Sequence, residues 1–383
     1  MKAILTAALC LALYPATSQA SKARMEALGQ RNSGSAYIMD ARNMFRNPAS
    51  LMDAKNQVML EWGTSTARDS AAAPIPEGGF IHNMGSGKSA LILGSESDTA
   101  SDLRNQAAQL LGVTAGDSFL LPSNSFDFFY AGKSGMGNWG ASLTYSANQK
   151  EDATGVADES TMGLRLGMAT TSWDAYLILG LGNTANGLYN ATPAVVTPTA
   201  KFEGKSGFEL GGSYNLANGK VFGKYKGIAV SAETAGAAAT VEATISNLEL
   251  GWANMNEVTG GFWFYSAALQ NDVTEIDHSL AARDSTTTAM ILPVVVGFEA
   301  DANSWLALRG SIKQNLLLNS TDTEVPAASA TYKNSDLAAT TVATGASLKF
   351  DALSIDGTLG KQSSGTLDLG SNMFTRVAVN YTF

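Results

Sequence analysis

Apolar and polar side chains alternate with a period of two over most of the chain beyond residue 56. In the final segment Val379, Tyr381 and Phe383 fall on one face, whereas Arg376 and Asn380 fall on the other. Because successive side chains of a β-strand point to opposite faces, this pattern predicts strands with one apolar and one polar face.

Comparable alternation recurs throughout the rest of the chain. Residues 139–145 and 162–168 are clear examples, and residues 78–83 and 89–95 are weaker ones. Short connections alternate with longer polar ones, which is typical of barrels that have turns on one side of a membrane and loops on the other. The count is about 16 strands, or about 14 if the two weak segments merge. The sequence therefore predicts an all-β fold, a transmembrane antiparallel β-barrel of 14–16 strands.

Some local features modify this pattern. Pro293 lies within an apolar run and predicts a break in the strand, because proline cannot donate a ladder hydrogen bond. The apolar phase slips between Ile245 and Leu248, which suggests a β-bulge. The long polar stretches, including residues 151–159 and 183–204, are interpreted as loops.

The charged side chains within the strands share one face of each strand. A lysine or arginine facing lipid at mid-depth costs about 2–4 kcal/mol, so this face is predicted to line the barrel lumen. The predicted lumen-facing charges are Arg165, Asp174, Glu209, Lys224, Glu249, Arg309, Lys313, Asp356 and Arg376.

Residues 1–20 have the features of a secretory signal peptide that is cut after Ala20. A basic Lys2 precedes an apolar run, and small residues stand at Ser18 and Ala20. Cys10 is the only cysteine and lies inside this run, so the mature chain has neither disulfides nor a thiolate metal site. The domains predicted are the signal peptide 1–20, an N-terminal segment 21–55 and the barrel 56–383.

Residues 21–55, called the plug below, do not alternate. They read as two short helical pieces that are broken at Gly34 and at Asn47-Pro48. Apolar side chains such as Phe45 and Leu51 would be costly to leave in water, so the plug is expected to pack inside the barrel.

Composition limits the possible partners. Removal of the signal peptide leaves 24 basic and 34 acidic residues, a net charge of −10, which speaks against nucleic-acid binding. The mean hydropathy is 0.00, and the longest apolar run, residues 289–298, is shorter than the roughly 18 residues that a membrane helix needs. We therefore expect the mature chain to contact membrane lipid through its strands.

Few residues are candidates for catalysis or metal binding. Only two histidines are present, His82 and His278, and they are far apart in the predicted topology. Asp277, His278 and Ser279 are adjacent in one predicted loop. Adjacent residues in a loop rarely have the geometry that proton transfer needs. We therefore predict no catalytic residue, no metal site and no cofactor; an enzyme or a structural barrel remains a less favoured alternative.

The N-terminal run GSAYIMDARNMFRNPASLMDAK followed by VMLEWG resembles the long-chain fatty acid transporter family of outer-membrane channels (FadL-like). The resemblance implies an N-terminal hatch with the tripeptide Asn47, Pro48 and Ala49, which plugs and gates the barrel together with Phe45. It also implies uptake of small hydrophobic molecules. A general diffusion porin for small polar solutes remains the alternative.

The last strand is similar to the C-terminal targeting strand of bacterial outer-membrane barrels. Val379, Tyr381 and the terminal Phe383 would then form the signal that the barrel-assembly machinery reads. The expected location is the bacterial outer membrane, and the expected partners are its lipid, that machinery and a small-molecule substrate, with a hydrophobic one favoured.

Overall fold

The computed structural model describes residues 21–63, 76–95, 104, 117–122, 125–152, 155–191, 194–234, 240–279, 284–316, 320–325, 330–334, 340–363 and 376–383. The predicted signal peptide lies outside these residues. Over the described residues the chain forms one α-helix, two 3₁₀ helices and 20 strand segments.

The three helices whose bounds are described belong to the plug: α1 spans Lys22–Ala27, and the 3₁₀ helices span Ala41–Phe45 and Pro48–Asp53. The strand segments are β1 (Gln57–Gly63), β2 (Glu77–Met84), β3 (Gly87–Leu93), β4 (Asp117–Phe119), β5 (Phe126–Ser134), β6 (Gly137–Asp152), β7 (Gly155–Ala169), β8 (Trp173–Ala191), β9 (Ala194–Leu216), β10 (Gly219–Thr234), β11 (Thr240–Val258), β12 (Gly261–His278), β13 (Ser285–Ile291), β14 (Pro293–Asn303), β15 (Leu306–Asn315), β16 (Ser320–Val325), β17 (Ala330–Asn334), β18 (Thr340–Phe350), β19 (Leu353–Ser363) and β20 (Arg376–Thr382).

The strand segments close into one antiparallel ring. Neighbours in the chain pair with each other, and the last segment, β20, pairs with the first, β1. Segments β13 and β14 form one barrel strand, as do β15 and β16, and β17 and β18, whereas β4 pairs with β8 above the ring. The ring therefore has 16 strands, which confirms the predicted all-β barrel and selects 16 over 14.

Pro293 interrupts its barrel strand as predicted. Segment β13 ends at Ile291 and β14 begins at Pro293. The carbonyl of Leu292, between them, accepts a hydrogen bond of 2.9 Å from the amide of Leu316. The break coincides with the gap between β15 and β16, so both neighbouring strands are interrupted at the same height.

The two faces of the wall differ as the alternation predicts. In β1 the side chains of Val58, Leu60 and Trp62 point outward and are exposed, whereas Met59 and Glu61 point inward and are buried. Closure of the ring pairs the backbone amides of the sheet, which a sheet in contact with hydrocarbon requires. Among the described residues, no helix is long and apolar enough to cross a bilayer.

Long polar stretches that were predicted to be loops are paired strands instead. Segments β6 and β7 remain paired up to Asp152–Gly155, and β8 and β9 remain paired up to Ala191–Ala194. Above the apolar band the outer face no longer requires apolar side chains. The alternation therefore fades while the hydrogen-bond ladder continues.

The bulge predicted between Ile245 and Leu248 is wrong. Segment β11 pairs with both of its neighbours there without a shift in register. Ile245 points inward and packs against an apolar cluster that includes Ile228 and Phe202, whereas Leu248 points outward and is exposed. The apolar residues change face because the loop-side part of the barrel has an apolar interior.

The plug lies inside the ring. Met44, Phe45 and Leu51 pack with inward side chains of the wall, among them Ile81 and Phe129, in one buried cluster. The largest apolar side chains of the plug are thereby removed from water, which supplies the favourable free energy for its docking.

Candidate functional site

Helix α1 is anchored to the first barrel strand through its amino end. Ser21 caps the helix, since its hydroxyl accepts a hydrogen bond of 2.9 Å from the amide of Arg24. The backbone amides of Lys22 and Ala23 donate to the carboxylate of Glu61 at 2.8 and 3.0 Å. A carboxylate at this position also complements the positive end of the helix dipole.

Arg24 joins the plug to a second part of the wall, strand β14. Its guanidinium lies 2.8 Å from Glu299 of β14 and 2.6 Å from Asp40 of the plug. Burial alone would lower the pKa of Arg24, but Glu299 and Asp40 raise it above its ordinary value. Arg24 is therefore a permanent, fully buried cation whose charge both carboxylates balance.

The Asn47-Pro48-Ala49 tripeptide fits against two glycines of the wall. The side-chain amide of Asn47 donates to the carbonyls of Met168 and Ala175 at 3.0 and 3.3 Å, and its oxygen accepts from the amide of Ala49 at 3.0 Å. A Cβ atom at Gly167 would lie 1.9 Å from that oxygen.

The second glycine faces Pro48. A Cβ atom at Gly140 would lie 2.4 Å from the carbonyl carbon of Pro48. Pro48 is the first residue of its 3₁₀ helix, where its missing amide hydrogen is not needed. The tripeptide is therefore a docking element that lies directly against the backbones of β6 and β7.

Phe45 lies at the centre of the plug's loop-side surface. Its ring contacts the ring of Phe129 edge to face, with centroids 5.2 Å apart. The guanidinium groups of Arg42 and Arg165 lie 4.2 and 5.7 Å from its centroid. Phe45 is therefore held by one wall aromatic and by two cations.

Two main cavities lie on either side of the plug. The loop-side cavity, above Phe45, has a volume of about 280 Å³, and the turn-side cavity has about 260 Å³. Arg46 lines both. Its guanidinium pairs with Asp174 of β8 at 2.9 Å and lies 5.2 Å from the ring of Tyr176. Arg46 thus lies between the two cavities.

All nine charges that were predicted to face the lumen lie inside the ring. Two of them pair with the plug: Glu249 with Arg31 and Asp174 with Arg46, each at 2.9 Å. Within the wall the ion pairs are Arg165 with Asp127, Lys224 with Glu209, and Arg309 with Asp356. Arg376 contacts Glu26 and Glu61, and Lys313 lines a third, smaller cavity beside the plug.

The wall has an opening between β8 and β9 beside the loop-side cavity. The ladder pairs Gly180 with Gly207 and next pairs Thr184 with Glu203, so residues 181–183 and 204–206 do not pair across it. A bulge flanks the opening on each side. Leu181 is the extra residue in β8 against β7, and Lys205 is the extra residue in β9 against β10.

Glycines leave this opening unfilled. Gly180, Gly182, Gly204 and Gly207 line the loop-side cavity around it, and a Cβ atom at Gly182 would meet nothing within 4 Å. Glycines within strands often mark a bulge or a close approach of another molecule. The wall is therefore open at Gly182, whereas a Cβ atom at Gly204 would lie 2.9 Å from the Cβ atom of Asn183.

The opening lies near the loop-side edge of the apolar band. Leu181 follows Trp173, at the start of β8, by eight residues, which corresponds to about 20 Å along the barrel axis at about 3.3 Å per residue and a tilt of about 40°. The apolar band of such barrels is about 25 Å tall. Outward side chains of this band, including Leu179 and Phe208, line the same cavity as Phe45 of the plug.

The loop-side cavity is apolar with a basic rim. Its apolar lining is Phe45, Met162, Leu164, Ile178, Leu179, Phe208, Ile228 and Val230, and its charged lining is Lys22, Arg31, Arg42, Arg46, Arg165, Lys224, Lys226 and Glu209. Carboxylates of the wall, such as Asp127 and Glu77, neutralise cations of this rim. Among the described residues, no three His, Cys, Asp or Glu side chains are grouped as a metal site requires.

Arg104 fixes the wall next to the opening from above. This buried side chain of a loop-side residue donates to the side-chain oxygen of Asn183 at 2.6 Å and to the carboxylate of Glu159 at 2.8 Å. It also donates to the hydroxyl of Thr161 at 2.8 Å and to the carbonyl of Thr184 at 3.1 Å. These bonds hold β7 and β8 in position at the upper edge of the opening.

The C-terminal residue lies outside the ring. The ring of Phe383 stacks near those of Tyr381 and His82, with centroid distances of 6.5 and 6.0 Å. Its amide donates to the carbonyl of Asn56 at 3.1 Å. Val379 precedes these residues on the outward face of β20.

Several site residues were missed by reasoning from sequence. Glu61 and Glu299 are inward charges of the same kind as those identified, so their place in the alternation could have revealed them. The bulges at Leu181 and Lys205 gave no comparable signal. The glycines at 180, 182, 204 and 207 were the only visible mark of the opening.

No family model matches the chain, and no curated protein matches its sequence. Three similar solved structures are all barrels of bacterial outer membranes. A Pseudomonas aeruginosa FadL homologue is 11% identical, with 97% of this chain and 99% of that chain covered and a TM-score of 0.43. The toluene transporter TodX of P. putida is 16% identical, with 92% and 96% covered and a TM-score of 0.36.

The third structure is an anion-selective porin from Comamonas acidovorans. It is 13% identical, with 86% of this chain and 97% of that chain covered and a TM-score of 0.35. Identities and TM-scores this low do not indicate a shared activity.

Proposed function

We propose that this protein is a channel of the bacterial outer membrane for the uptake of small hydrophobic molecules, with the plug as its gate. The observation that carries the proposal is the opening between β8 and β9, which joins the apolar loop-side cavity to the lipid-facing surface. An apolar molecule on this path would contact the apolar side chains of the cavity, such as Leu179 and Phe208, and would not have to cross the rest of the lumen.

The plug supports this assignment because it blocks the direct route through the lumen. Arg46 lies between the two cavities, Phe45 lines the loop-side one, and the Asn47-Pro48-Ala49 tripeptide docks against the wall. We assign gating to Phe45, Asn47, Pro48 and Ala49. A shift of these residues would join the loop-side cavity to the turn-side cavity, whereas the wall opening is present while the plug is docked.

The alternative is a general diffusion porin. The charged lumen favours it, since water-filled channels carry such residues. A barrel of 16 strands without a plug would leave an aqueous channel. Buried apolar residues of the docked plug, such as Met44 and Leu51, occupy that space here, and this favours the hydrophobic-uptake channel.

Closing the opening tests the proposal. Gly182→Trp should fill the gap, because a side chain there meets open space and the backbone is unstrained. We expect cellular uptake of a neutral aromatic hydrocarbon to fall to the level of cells that lack the protein. The matched control is Gly135→Trp in a short turn, where a side chain also meets nothing within 4 Å.

The same variants distinguish the two functions. Swelling of liposomes in a monosaccharide solution measures the passage of polar solutes, and we expect it to be low for the intact protein. Rapid swelling, together with hydrocarbon uptake that is unchanged in Gly182→Trp, would establish the diffusion porin.

A further inference from the structure

The ring closes at the seam where β1 meets β20. Seven residue pairs join these strands, and the flanking pairs β1–β2 and β19–β20 contribute five each. This seam is the contact that joins the two ends of the barrel sequence.

Buried charges of the wall surround this seam. Glu61 and Glu77 lie on the β1 side, and Asp356 and Arg376 lie on the β20 side. Arg376 reaches across the seam to Glu61 at 3.8 Å. The neighbouring strands β14 and β15 add Glu299 and Arg309, which pair at 2.5 Å. The wall alone therefore places four carboxylates and two guanidinium groups in this buried region.

Helix α1 supplies contacts to both sides of the seam. On the β1 side, the ammonium group of Lys22 lies 2.9 Å from Glu77, which also pairs with Arg42. On the β20 side, Glu26 lies 3.7 Å from Arg376, and Arg24 pairs with Glu299. Six residues of helix thus connect β14 and β20 with β1 and β2.

Hydrogen bonds to the backbone of α1 follow the same arrangement. The hydroxyl of Ser311 in β15 donates to the carbonyl of Ala27 at 2.9 Å. The amides of Lys22 and Ala23 donate to Glu61 in β1 at 2.8 and 3.0 Å. The helix is therefore held from both sides by its main chain as well as by its charges.

Charge balance makes closure depend on this helix. Without the plug, Glu77 loses both Lys22 and Arg42. Removing one partner of a buried ion pair is strongly destabilising, because the other charge remains buried and uncompensated. The wall around the seam would then carry an excess of buried negative charge.

We propose that α1 is an electrostatic clasp for barrel closure, so that docking of the plug and pairing of β1 with β20 form one cooperative event. The clasp, residues 22–27 with Arg42, stays bound to the wall while the channel works. Any gating movement is confined to the later part of the plug. This role does not depend on what the channel carries.

The test compares a charge reversal with a charge exchange. Lys22→Glu places a third carboxylate beside Glu61 and Glu77, whereas Lys22→Glu combined with Glu77→Lys restores the balance. We expect the rate of folding of Lys22→Glu into detergent micelles to fall at least about ten-fold, as expected for an uncompensated buried charge. The exchange variant should recover part of that loss, because a lysine at position 77 would pair with the glutamate at position 22 but would also face Arg42. The folded fraction is read from the mobility of unheated samples on gels.

Arg46→Glu is the matched control. It also removes a 2.9 Å ion pair between plug and wall, but its partner Asp174 is on β8, away from the seam. We expect it to fold at nearly the rate of the natural protein. Normal folding of Lys22→Glu, no recovery in the exchange variant, or an equal loss in Arg46→Glu would each overturn the proposal.

Discussion

At the scale of single residues, two glycines determine how the plug meets the wall. Gly140 and Gly167 leave space for Pro48 and Asn47, whose atoms lie where a side chain would otherwise be. The asparagine bonds to wall carbonyls through this space. The tripeptide and the two glycines are therefore one recognition feature that is divided between distant parts of the sequence.

This complementarity makes Gly167→Ala a selective way to displace the tripeptide. The added methyl group would lie 1.9 Å from the side-chain oxygen of Asn47, and such overpacking costs about 1–3 kcal/mol. We expect a lower thermal midpoint and a higher conductance in planar bilayers.

Gly163→Ala, on the same strand, is the control, since its methyl group would make an ordinary contact at 3.4 Å. Equal conductance of the two variants would show that the tripeptide does not restrict flow.

At the scale of elements, strand β20 has two functions on its two faces. Its inward residues Arg376 and Asn380 belong to the charged region at the seam, and its outward residues Val379 and Tyr381 face the exterior. One face of the strand must therefore suit the charged lumen, and the other must suit the membrane.

Replacement of the terminal aromatic tests the outward face alone. Phe383→Asp removes the stacking on Tyr381 and His82 but leaves the charges at the seam intact. We expect less protein in the outer membrane and accumulation of unfolded chain in the periplasm, measured by fractionation and immunoblotting. Phe350→Asp, which replaces an exposed aromatic at the end of β18 and at the same end of the barrel, is the control. Normal membrane levels of Phe383→Asp would argue against an assembly signal at this end.

The two bulges beside the opening are also a feature of elements. Deleting both Leu181 and Lys205 should restore regular register with β7 and with β10. We expect this double deletion to lower hydrocarbon uptake while the folded fraction on gels is unchanged. Unchanged uptake by a folded double deletion would mean that the bulges do not maintain the route.

At the scale of the whole molecule, the closed ring and its internal plug act as a single folded unit. The barrel strands close into a ring through the pairing of β1 with β20. The plug crosses the lumen from this seam to the wall at β6–β8. Such a barrel should resist detergent at room temperature.

Unheated samples in sodium dodecyl sulfate should therefore migrate faster than boiled samples, because the closed ring is more compact than the unfolded chain. The boiled sample is the internal reference. Identical mobility, together with recovery of the protein in the soluble fraction, would contradict a membrane-inserted barrel.

The sequence by itself determined the architecture, because side-chain alternation is a local property with a period of two residues. It was enough to predict an all-β barrel, the break at Pro293 and the inward face of the charges from Arg165 to Arg376. It failed where the environment of a strand changes along its length. The supposed bulge at Ile245 was a change of apolar face, and the supposed loops were strands outside the apolar band.

Only the tertiary structure decided which strands pair irregularly and which side chains meet. Arg24 and Glu299 are 275 residues apart in the chain and 2.8 Å apart in the barrel. The opening depends on the registers of three consecutive strand pairs, from β7 to β10. The sequence pattern states which face a residue occupies but not the height of its partner across the lumen. That height is set by closure of the ring, which fixes strand tilt and stagger together.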